Sequence, residues 1–179
     1  MQRLFGPSLH LKTLIQLVPR LDRLKEIGIN AIVLDKDNCI TLPHQLNLHP
    51  SVVPALSQIT RQFPTAILSN SAGSFKDVGM KQADQLENSL CIPVIRHNSM
   101  KPFCFPKIIN HFTTTLQLRD PKIAIVGDRL LTDILMGNLN NCYTILVDPL
   151  DSKQDSVSIR LVRRLEHCLL GLTAKQKEN

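Results

Sequence analysis

The pattern of apolar and polar positions divides the chain into segments that alternate between strand and helix. Five short apolar runs predict strands at residues 29–34, 65–68, 91–95, 122–126 and 143–147. Amphipathic stretches separate them, and Pro93 inside the third run predicts an edge strand. This alternation predicts an α/β fold, a five-stranded parallel sheet with helices on both faces, in a single domain over residues 29–172.

The N-terminal segment, residues 1–28, has a different pattern. Leu11, Leu14, Ile15 and Val18 recur at helical spacing, and residues 1–21 contain basic side chains but no acid. We expect an amphipathic helical segment, either packed on the domain or lying on an anionic membrane surface. The segment also resembles a mitochondrial presequence loosely. At the other end, residues 173–179 are predicted to form a polar tail.

The composition of the chain limits the kinds of partner that it is expected to bind. The chain has 43% hydrophobic and 20% charged residues, so it is expected to fold. The excess of 21 Lys and Arg over 15 Asp and Glu favours anionic partners. Nucleic acid is not expected among them, because only 4% of the residues are aromatic and Trp is absent. Five scattered cysteines without a Cys-x-x-Cys pair indicate free thiols rather than disulfides or zinc. No apolar run approaches the ~20 residues that span a bilayer.

Two carboxylates follow the first predicted strand. Asp35 and Asp37 stand two residues apart, so in an extended chain both side chains point to the same side. Two like charges at this spacing repel unless a cation or a proton lies between them. The spacing therefore indicates a ligand site or, equally, a surface turn with two solvated acids.

Polar residues also follow the other predicted strands. Each has an ordinary explanation as a helix cap, a solvated charge or a turn former. The carboxyl ends of parallel strands meet at one edge of a sheet, however, so we expect these side chains to converge. Carboxylates suit Mg²⁺, hydroxyl and ammonium groups suit phosphate oxygens, and a carboxylate can act as a covalent nucleophile. Together with Asp35 and Asp37, these residues predict phosphoryl-transfer chemistry. They are Ser69, Asn70, Lys101, Asp128 and Asp133.

In this order, the residues resemble the four motifs of the haloacid dehalogenase-like (HAD) phosphohydrolases: Asp35-x-Asp37, Ser69, Lys101 and Gly127-Asp128-x-x-x-x-Asp133. Four longer strings are similar to the mitochondrial phosphatidylglycerophosphate phosphatases of fungi and plants. They are Leu34–Cys39 (LDKDNC), Ser69–Gly73 (SNSAG), Val94–His97 (VIRH) and Gly127–Asp133 (GDRLLTD). The resemblance runs from about residue 7 to the last helix and implies a Rossmann-like HAD domain.

The resemblance implies a catalytic role for each motif residue. Asp35 attacks phosphorus and becomes transiently phosphorylated. Asp37 protonates the leaving alkoxide and then activates the water that releases phosphate. Ser69 and Asn70 hold the transferred phosphoryl group, and Lys101 offsets its negative charge.

The resemblance also implies Mg²⁺ as cofactor and a phospholipid as substrate. The metal ligands would be Asp35, Asp128 and the main-chain carbonyl of Asp37, with Asp133 a ligand directly or through water. Basic side chains near the strand ends are candidates for contact with a second phosphate of the substrate, although structural roles are as plausible. They are Lys36, Arg96, His97 and Arg129.

The spacing of the motifs bears on the size of the substrate. Many HAD enzymes carry a cap domain between these motifs, but the stretches from Asp37 to Ser69 and from Ser69 to Lys101 have room only for loops, a helix and a strand each. We therefore expect no cap domain. An open site favours a head group on a membrane or a phosphate on a macromolecule over a small enclosed metabolite.

The function predicted first is a Mg²⁺-dependent phosphatidylglycerophosphatase that forms phosphatidylglycerol, a step toward cardiolipin. It would be a peripheral protein at the matrix face of the mitochondrial inner membrane, held to the anionic surface by its N-terminal segment. Two alternatives remain. One is an uncapped HAD phosphatase that acts on a soluble or macromolecular phosphomonoester, and the other is a catalytically dead, membrane-associated scaffold.

Overall fold

Five parallel strands form one sheet in the computed structural model, which describes residues 2–155 and 157–175. The strands lie in the spatial order β1-β5-β4-β2-β3. The prediction of a five-stranded parallel sheet in an α/β domain is confirmed. The strand bounds are β1 Leu9–Leu11, β2 Ala31–Leu34, β3 Thr65–Ile67, β4 Ile123–Gly127 and β5 Tyr143–Val147.

Helices fill most of the connections between the strands. The α-helices are α1 Gln2–Phe5, α2 Leu21–Glu26, α3 Val53–Gln62, α4 Lys81–Leu90, α5 Phe105–Asn110, α6 Leu135–Leu139 and α7 Val157–Lys175. Shorter 3-10 turns cover Leu14–Arg20, Pro50–Val52, Val78–Met80 and Ser152–Gln154, and wider π-type turns cover His111–Thr115 and Leu130–Ile134. Within residues 2–155 no folded cap is inserted between the motifs, as expected.

The sheet has a hydrophobic core on each face. On β2, Ile32 and Leu34 point into a core formed with α2, α3 and α4. Ala31 and Val33 point to the other face, into a core formed with α5 and α6. A strand buried on both faces needs the uniformly apolar sequence that the chain has here. This double burial holds the end of β2 in place.

One predicted strand is wrong. Residues 91–95 form only an isolated parallel bridge, between Val94 and Ile67, at the edge of the sheet. Pro93 has no N–H to donate to a ladder, which limits pairing. The fifth strand is instead β1, which pairs with β5 at the opposite edge, with Leu9 beside Ile145.

The N-terminal segment differs from its prediction in the side that it buries. The expected helical stripe begins at Leu11, but Leu11 belongs to β1. The turns that follow bury Leu14, Leu17 and Leu21, whereas Ile15 is 43% exposed. The apolar side of the segment is thus part of the core.

The two ends of the chain complete the comparison. Residues 173–175 of the expected polar tail belong to α7, and residues 176–179 lie outside the described part. No helix in the described ranges has the length and apolar character to cross a membrane.

Candidate active site

The carboxyl ends of β2, β3 and β4 meet at one open cleft. Leu34 at the end of β2 is paired with Ile67 on one side and Val126 on the other, so the residues after each strand emerge at the same level. The structure thereby brings the strand-end residues together as expected. The lining includes Asp35, Asp37, Asn70, Lys101, Asp128 and Arg129.

Lys101 is the centre of the buried part of the site. Its Nζ atom donates to Asp35 Oδ1 and to Asp133 Oδ1, both at 2.6 Å, and to the carbonyl of Leu68 at 3.2 Å. Burial disfavours its charge, but the two carboxylates raise its pKa above the ordinary value. Lys101 is therefore a fixed positive charge between two acids.

Three buried carboxylates surround this charge. Asp35, Asp128 and Asp133 each offer an oxygen atom, and these atoms lie within 4.8 Å of one another. Gly127 permits the close approach, because a Cβ atom at this position would lie 2.3 Å from Asp133 Cγ. Burial raises the pKa of Asp35 well above its usual value, although Lys101 opposes this, and burial raises the pKa of Asp128 to about 6. The raised pKa values mean that the ionised forms of Asp35 and Asp128 are disfavoured unless further positive charge is close.

A divalent cation such as Mg²⁺ fits this cluster. Its ligands would all be carboxylate oxygens, which a hard cation prefers. Asp128 Oδ1 is buried and has no hydrogen-bond partner among the described residues, so it is a carboxylate oxygen available to a ligand. Of the four predicted ligands, the structure groups the side chains of Asp35, Asp128 and Asp133.

The Asp37 side chain lies apart from this cluster. Its Oδ1 atom accepts hydrogen bonds from Lys36 Nζ at 2.5 Å and from the backbone N–H of His44 at 3.0 Å. Its Oδ2 atom accepts from Ser71 Oγ at 2.6 Å. Burial would raise the pKa of Asp37, but Lys36 and these hydrogen bonds lower it below the ordinary value. Asp37 is therefore ionised in the free protein at neutral pH.

Ser69 and Asn70 lie between Asp37 and Lys101. Ser69 Oγ is 3.4 Å from Asp37 Oδ2 and accepts from the backbone N–H of Ser71 at 3.1 Å. Asn70 Oδ1 accepts from the backbone N–H of Lys101 at 2.9 Å. These contacts tie the loop after β3 to the loop that carries Lys101.

Of the four predicted substrate-binding residues, the structure brings one, Arg129, to the cleft. Its Nε atom also contacts the Glu166 carboxylate at 3.3 Å. Lys36 is fully buried beneath Asp37. The ion pairs of Arg129 with Glu166 and of Lys36 with Asp37 fix these two side chains in place.

Arg96 and His97 have structural positions instead. Arg96 pairs with Glu87 at 2.5 Å and Asp84 at 2.7 Å on α4. His97 is buried, with Nε2 at 2.8 Å from the Ser69 carbonyl and Nδ1 at 2.5 Å from the Ser99 carbonyl. Both terminal nitrogens of Arg96 and both ring nitrogens of His97 thus have partners within the protein. His97 supports the loop that carries Ser69.

Arg163 is a site residue that the sequence reasoning missed. Its guanidinium donates to Asp128 Oδ2, to the Asp128 carbonyl at 3.2 Å and to Asp155 Oδ2 at 2.5 Å. Asp155 in turn accepts from Asn38 Nδ2 at 2.8 Å. In the sequence, Arg163 is one of several basic residues in the last helix, and its position there does not reveal its contact with Asp128. Arg163 links α7 to the acidic cluster.

Fold and site together define the class of the chain. A Rossmann-like sheet with paired aspartates after one strand, a serine after the next and a lysine that bridges to a further aspartate is the arrangement of the HAD-like proteins. The chain belongs, within this class, to the family described as mitochondrial PGP phosphatase, whose family model matches residues 1–150.

Individual relatives agree with the family. The chain is 38% identical over 151 residues to "Phosphatidylglycerophosphatase GEP4, mitochondrial" of Saccharomyces cerevisiae, and the alignment covers 80% of each chain. It is 36% identical to "Phosphatidylglycerophosphate phosphatase 1, chloroplastic/mitochondrial" of Arabidopsis thaliana, over 82% of this chain and 42% of that protein. "Probable phosphatase YqeG" of Bacillus subtilis is 27% identical, over 96% and 92% of the two chains. No solved structure matches this chain.

Proposed function

We propose that this protein is a phosphatidylglycerophosphatase, which hydrolyses phosphatidylglycerophosphate to phosphatidylglycerol and phosphate through a phosphoaspartate on Asp35. The observation that carries the proposal is the placement of Asp35 in the open cleft, paired with Lys101 and beside Asp128 and Asp133. The substrate follows from the family and from the yeast relative, which bears this activity in its name.

In the first step, a carboxylate oxygen of Asp35 attacks phosphorus and the bond between phosphorus and the glycerol oxygen breaks. Asp37 gives its proton to the departing alkoxide. Asp37 is ionised in the free protein, so it must gain this proton when substrate binds. The negative charge of a phosphate ester close to Asp37 would raise its pKa and favour that protonation.

In the second step, a water molecule attacks the phosphorus of the phosphoaspartate. Asp37, now ionised, accepts the proton of this water, and the bond between phosphorus and Asp35 breaks. Phosphate leaves and Asp35 returns to its carboxylate form. The hydrogen bonds from Lys36 and Ser71 stabilise the ionised Asp37 that this step requires.

Three residues bind the phosphoryl group in this proposal. Ser69 and Asn70 offer a hydroxyl and a backbone N–H, and Lys101 offers a fixed positive charge beside Asp35. These groups are held before the reaction begins, so little reorganisation is needed when charge moves in the transition state.

Mg²⁺ completes the proposed site. Asp35, Asp128 and Asp133 would hold it, and the resemblance adds the main-chain carbonyl of Asp37. When bound, the cation supplies positive charge that offsets both the nucleophile and the phosphoryl oxygens. Burial raises the pKa of Asp35, so a nearby cation would also favour the ionised form that attacks.

We place the protein at the matrix face of the mitochondrial inner membrane as a peripheral protein, in the synthesis of cardiolipin. The family is mitochondrial by its description, and the proposed substrate is a membrane lipid. The open cleft, without a cap within the described residues, suits a head group that stays attached to a bilayer.

The test is phosphate release from phosphatidylglycerophosphate in mixed micelles, with Mg²⁺ and with EDTA, beside a panel of soluble phosphomonoesters. We expect a Mg²⁺-dependent preference for the lipid. The Asp35→Asn variant should lose at least about 10³-fold in activity, because the covalent step has no nucleophile. Asp22→Asn, which changes an exposed acid on α2, should leave the rate unchanged.

Other outcomes of this assay separate the alternatives. Equal or faster hydrolysis of a soluble ester would keep the mechanism and reject the lipid substrate. Full activity of the Asp35→Asn variant would reject the mechanism. No turnover of any ester by folded protein would favour the scaffold.

A further inference from the structure

Three large apolar side chains are exposed on two loops beside the cleft. Phe75 and Val78, in the loop after β3, are 57% and 83% exposed, and Phe103, just before α5, is 76% exposed. Side chains of this size are costly to leave in water, and a group of them on a surface commonly marks a binding site. They do not contribute to either core of the domain.

Both loops belong to the mouth of the cleft. Lys76 and Met100, close in sequence to the exposed side chains, line the cleft itself. The two loops are also joined to each other, by the hydrogen bond from the Lys101 N–H to Asn70 Oδ1 at 2.9 Å and from the His97 N–H to the Gly73 carbonyl at 2.8 Å. Phe75, Val78 and Phe103 therefore lie within three residues in sequence of side chains that line the cleft in front of Asp35.

Exposed lysines lie close in sequence to these side chains, and the exposed acid on α4, Asp84, is paired with Arg96. Lys81 and Lys107 are exposed near the start of α4 and in α5, and Lys76 is exposed at the cleft. The sequence has no Asp or Glu between Glu87 and Asp120. Asp77, the acid closest to Phe75, is buried and accepts backbone hydrogen bonds from α4. We call the surface formed by Phe75, Val78, Phe103, Lys81 and Lys107 the rim.

We propose that the rim docks this protein on an anionic lipid bilayer, with its apolar side chains in the interface and its lysines on lipid phosphates. Interfacial binding combines apolar burial with attraction to anionic lipid, and the rim offers both. The inference rests on the proposed function. Docked in this way, the protein presents the cleft to a head group whose acyl chains remain in the membrane.

Two other apolar surfaces fit this role less well. The N-terminal segment places Leu14, Leu17 and Leu21 in the core, so they are not available to lipid. On α7, Leu161 and Leu165 are exposed, but each lies two residues from a cleft-lining residue, Ile159 or Arg163. Two residues correspond to about 200° around a helix, so this stripe faces away from the cleft.

The experiment is vesicle binding by sedimentation, measured without turnover, on the full chain. The vesicles contain phosphatidylcholine alone or mixed with phosphatidylglycerol. The rim variant carries Phe75→Ser, Val78→Ser and Phe103→Ser. A matched control replaces three exposed apolar residues elsewhere, Val53→Ser, Leu116→Ser and Leu139→Ser, and a second replaces the α7 stripe, Leu161→Ser and Leu165→Ser.

We expect the wild type to prefer anionic vesicles and the rim variant to bind them at least about tenfold more weakly, because three apolar side chains no longer enter the interface. Both controls should stay within about twofold of the wild type. In a separate variant, Lys81→Gln with Lys107→Gln should weaken binding to anionic vesicles and leave binding to neutral vesicles unchanged. The rim variant should keep the circular-dichroism spectrum and the urea midpoint of the wild type within error, which shows that it is folded.

The proposal is overturned if the rim variant binds anionic vesicles as tightly as the wild type, or if the α7 variant alone loses binding. Binding is read without catalysis, so failure of the proposed function would leave a different signature. In that case the wild type would dock through the rim but would not hydrolyse phosphatidylglycerophosphate.

Discussion

At the scale of single residues, the two carboxylate oxygens of Asp128 have different surroundings. Arg163 holds its Oδ2 atom and its carbonyl, while Oδ1 is buried without a hydrogen-bond partner in the described structure. The arginine thus orients Asp128 and leaves one oxygen for a cation. A positioning role of this kind predicts effects on stability as well as on catalysis.

Replacement of Arg163 by Gln tests this role. It leaves Asp128 and Asp155 buried without their partner, which should lower the free energy of unfolding by about 3–5 kcal/mol. Mg²⁺ should restore part of that loss, because a cation in the cluster compensates the charge of Asp128. Urea unfolding with Mg²⁺ and with EDTA measures both effects.

Arg164→Gln is the matched control, since Arg164 is the exposed neighbour on the same helix. It should change stability by less than about 0.5 kcal/mol. Equal destabilisation by the two substitutions would show that Arg163 contributes to α7 only as a helical residue.

At the scale of elements, Asp77 connects α4 to the loop after β3. The Asp77 carboxylate accepts from the backbone N–H groups of Gln82 at 3.0 Å and Ala83 at 2.9 Å, in the first turn of α4, and from Gly73 at 2.9 Å in the loop. Burial would raise the pKa of Asp77, but these hydrogen bonds lower it below its usual value. A carboxylate at the beginning of a helix is also favoured by the helix dipole.

We expect Asp77→Ala to lower the free energy of unfolding by about 1–3 kcal/mol at neutral pH, because buried N–H groups lose their acceptor. The pKa of Asp77 is lower in the folded than in the unfolded state, so its contribution is present above the ordinary Asp pKa of about 4. It is lost as the pH falls through the folded-state value. Denaturant unfolding across this pH range should therefore show that the wild type and the variant become equally stable at acidic pH. A difference in the free energy of unfolding that does not change with pH would contradict this origin.

The last helix shows where an element-scale pattern misleads. Leu161 and Leu165 recur at the helical spacing that is typical of a buried side, yet they are exposed, and Arg163 and Glu166 are buried instead. The ion pairs of these two residues with Asp128 and Arg129 decide the orientation. Periodicity measures only how apolar a face is and contains no information on partners that are distant in sequence.

At the scale of the whole molecule, the N-terminal residues complete the sheet and one of its cores. β1 closes the edge beside β5, and Leu17 and Leu21 pack in the core shared with α3 and α4. The N-terminal segment should therefore contribute to the stability of the domain.

Leu17→Ala should destabilise the protein by about 2–5 kcal/mol, because it leaves a cavity in this core. Ile15→Ala, two residues away on the exposed side of the segment, should cost less than about 1 kcal/mol. Thermal and urea unfolding of both variants check this difference. Equal stability of the two would mean that the segment does not pack on the domain in solution.

The sequence alone was sufficient for the fold class and for the positions of Asp35, Ser69 and Asp128 just after β2, β3 and β4. The uniformly apolar runs of β2 and β4 are required by burial on both faces, and the polar residues that follow them necessarily meet at one edge of a parallel sheet. Local chemistry determines these features, so they can be read without knowledge of contacts.

Only the tertiary structure decided which neighbours those residues have. It showed that Lys36 contacts Asp37 and His97 contacts the Ser69 carbonyl. It also showed that Arg96 pairs with Glu87 of α4 and that Arg163 pairs with Asp128. It also replaced the strand expected at 91–95 with β1, because strand pairing depends on a partner far away in the chain. Pairing and burial are properties of segments brought together by folding, and no single stretch of sequence contains them.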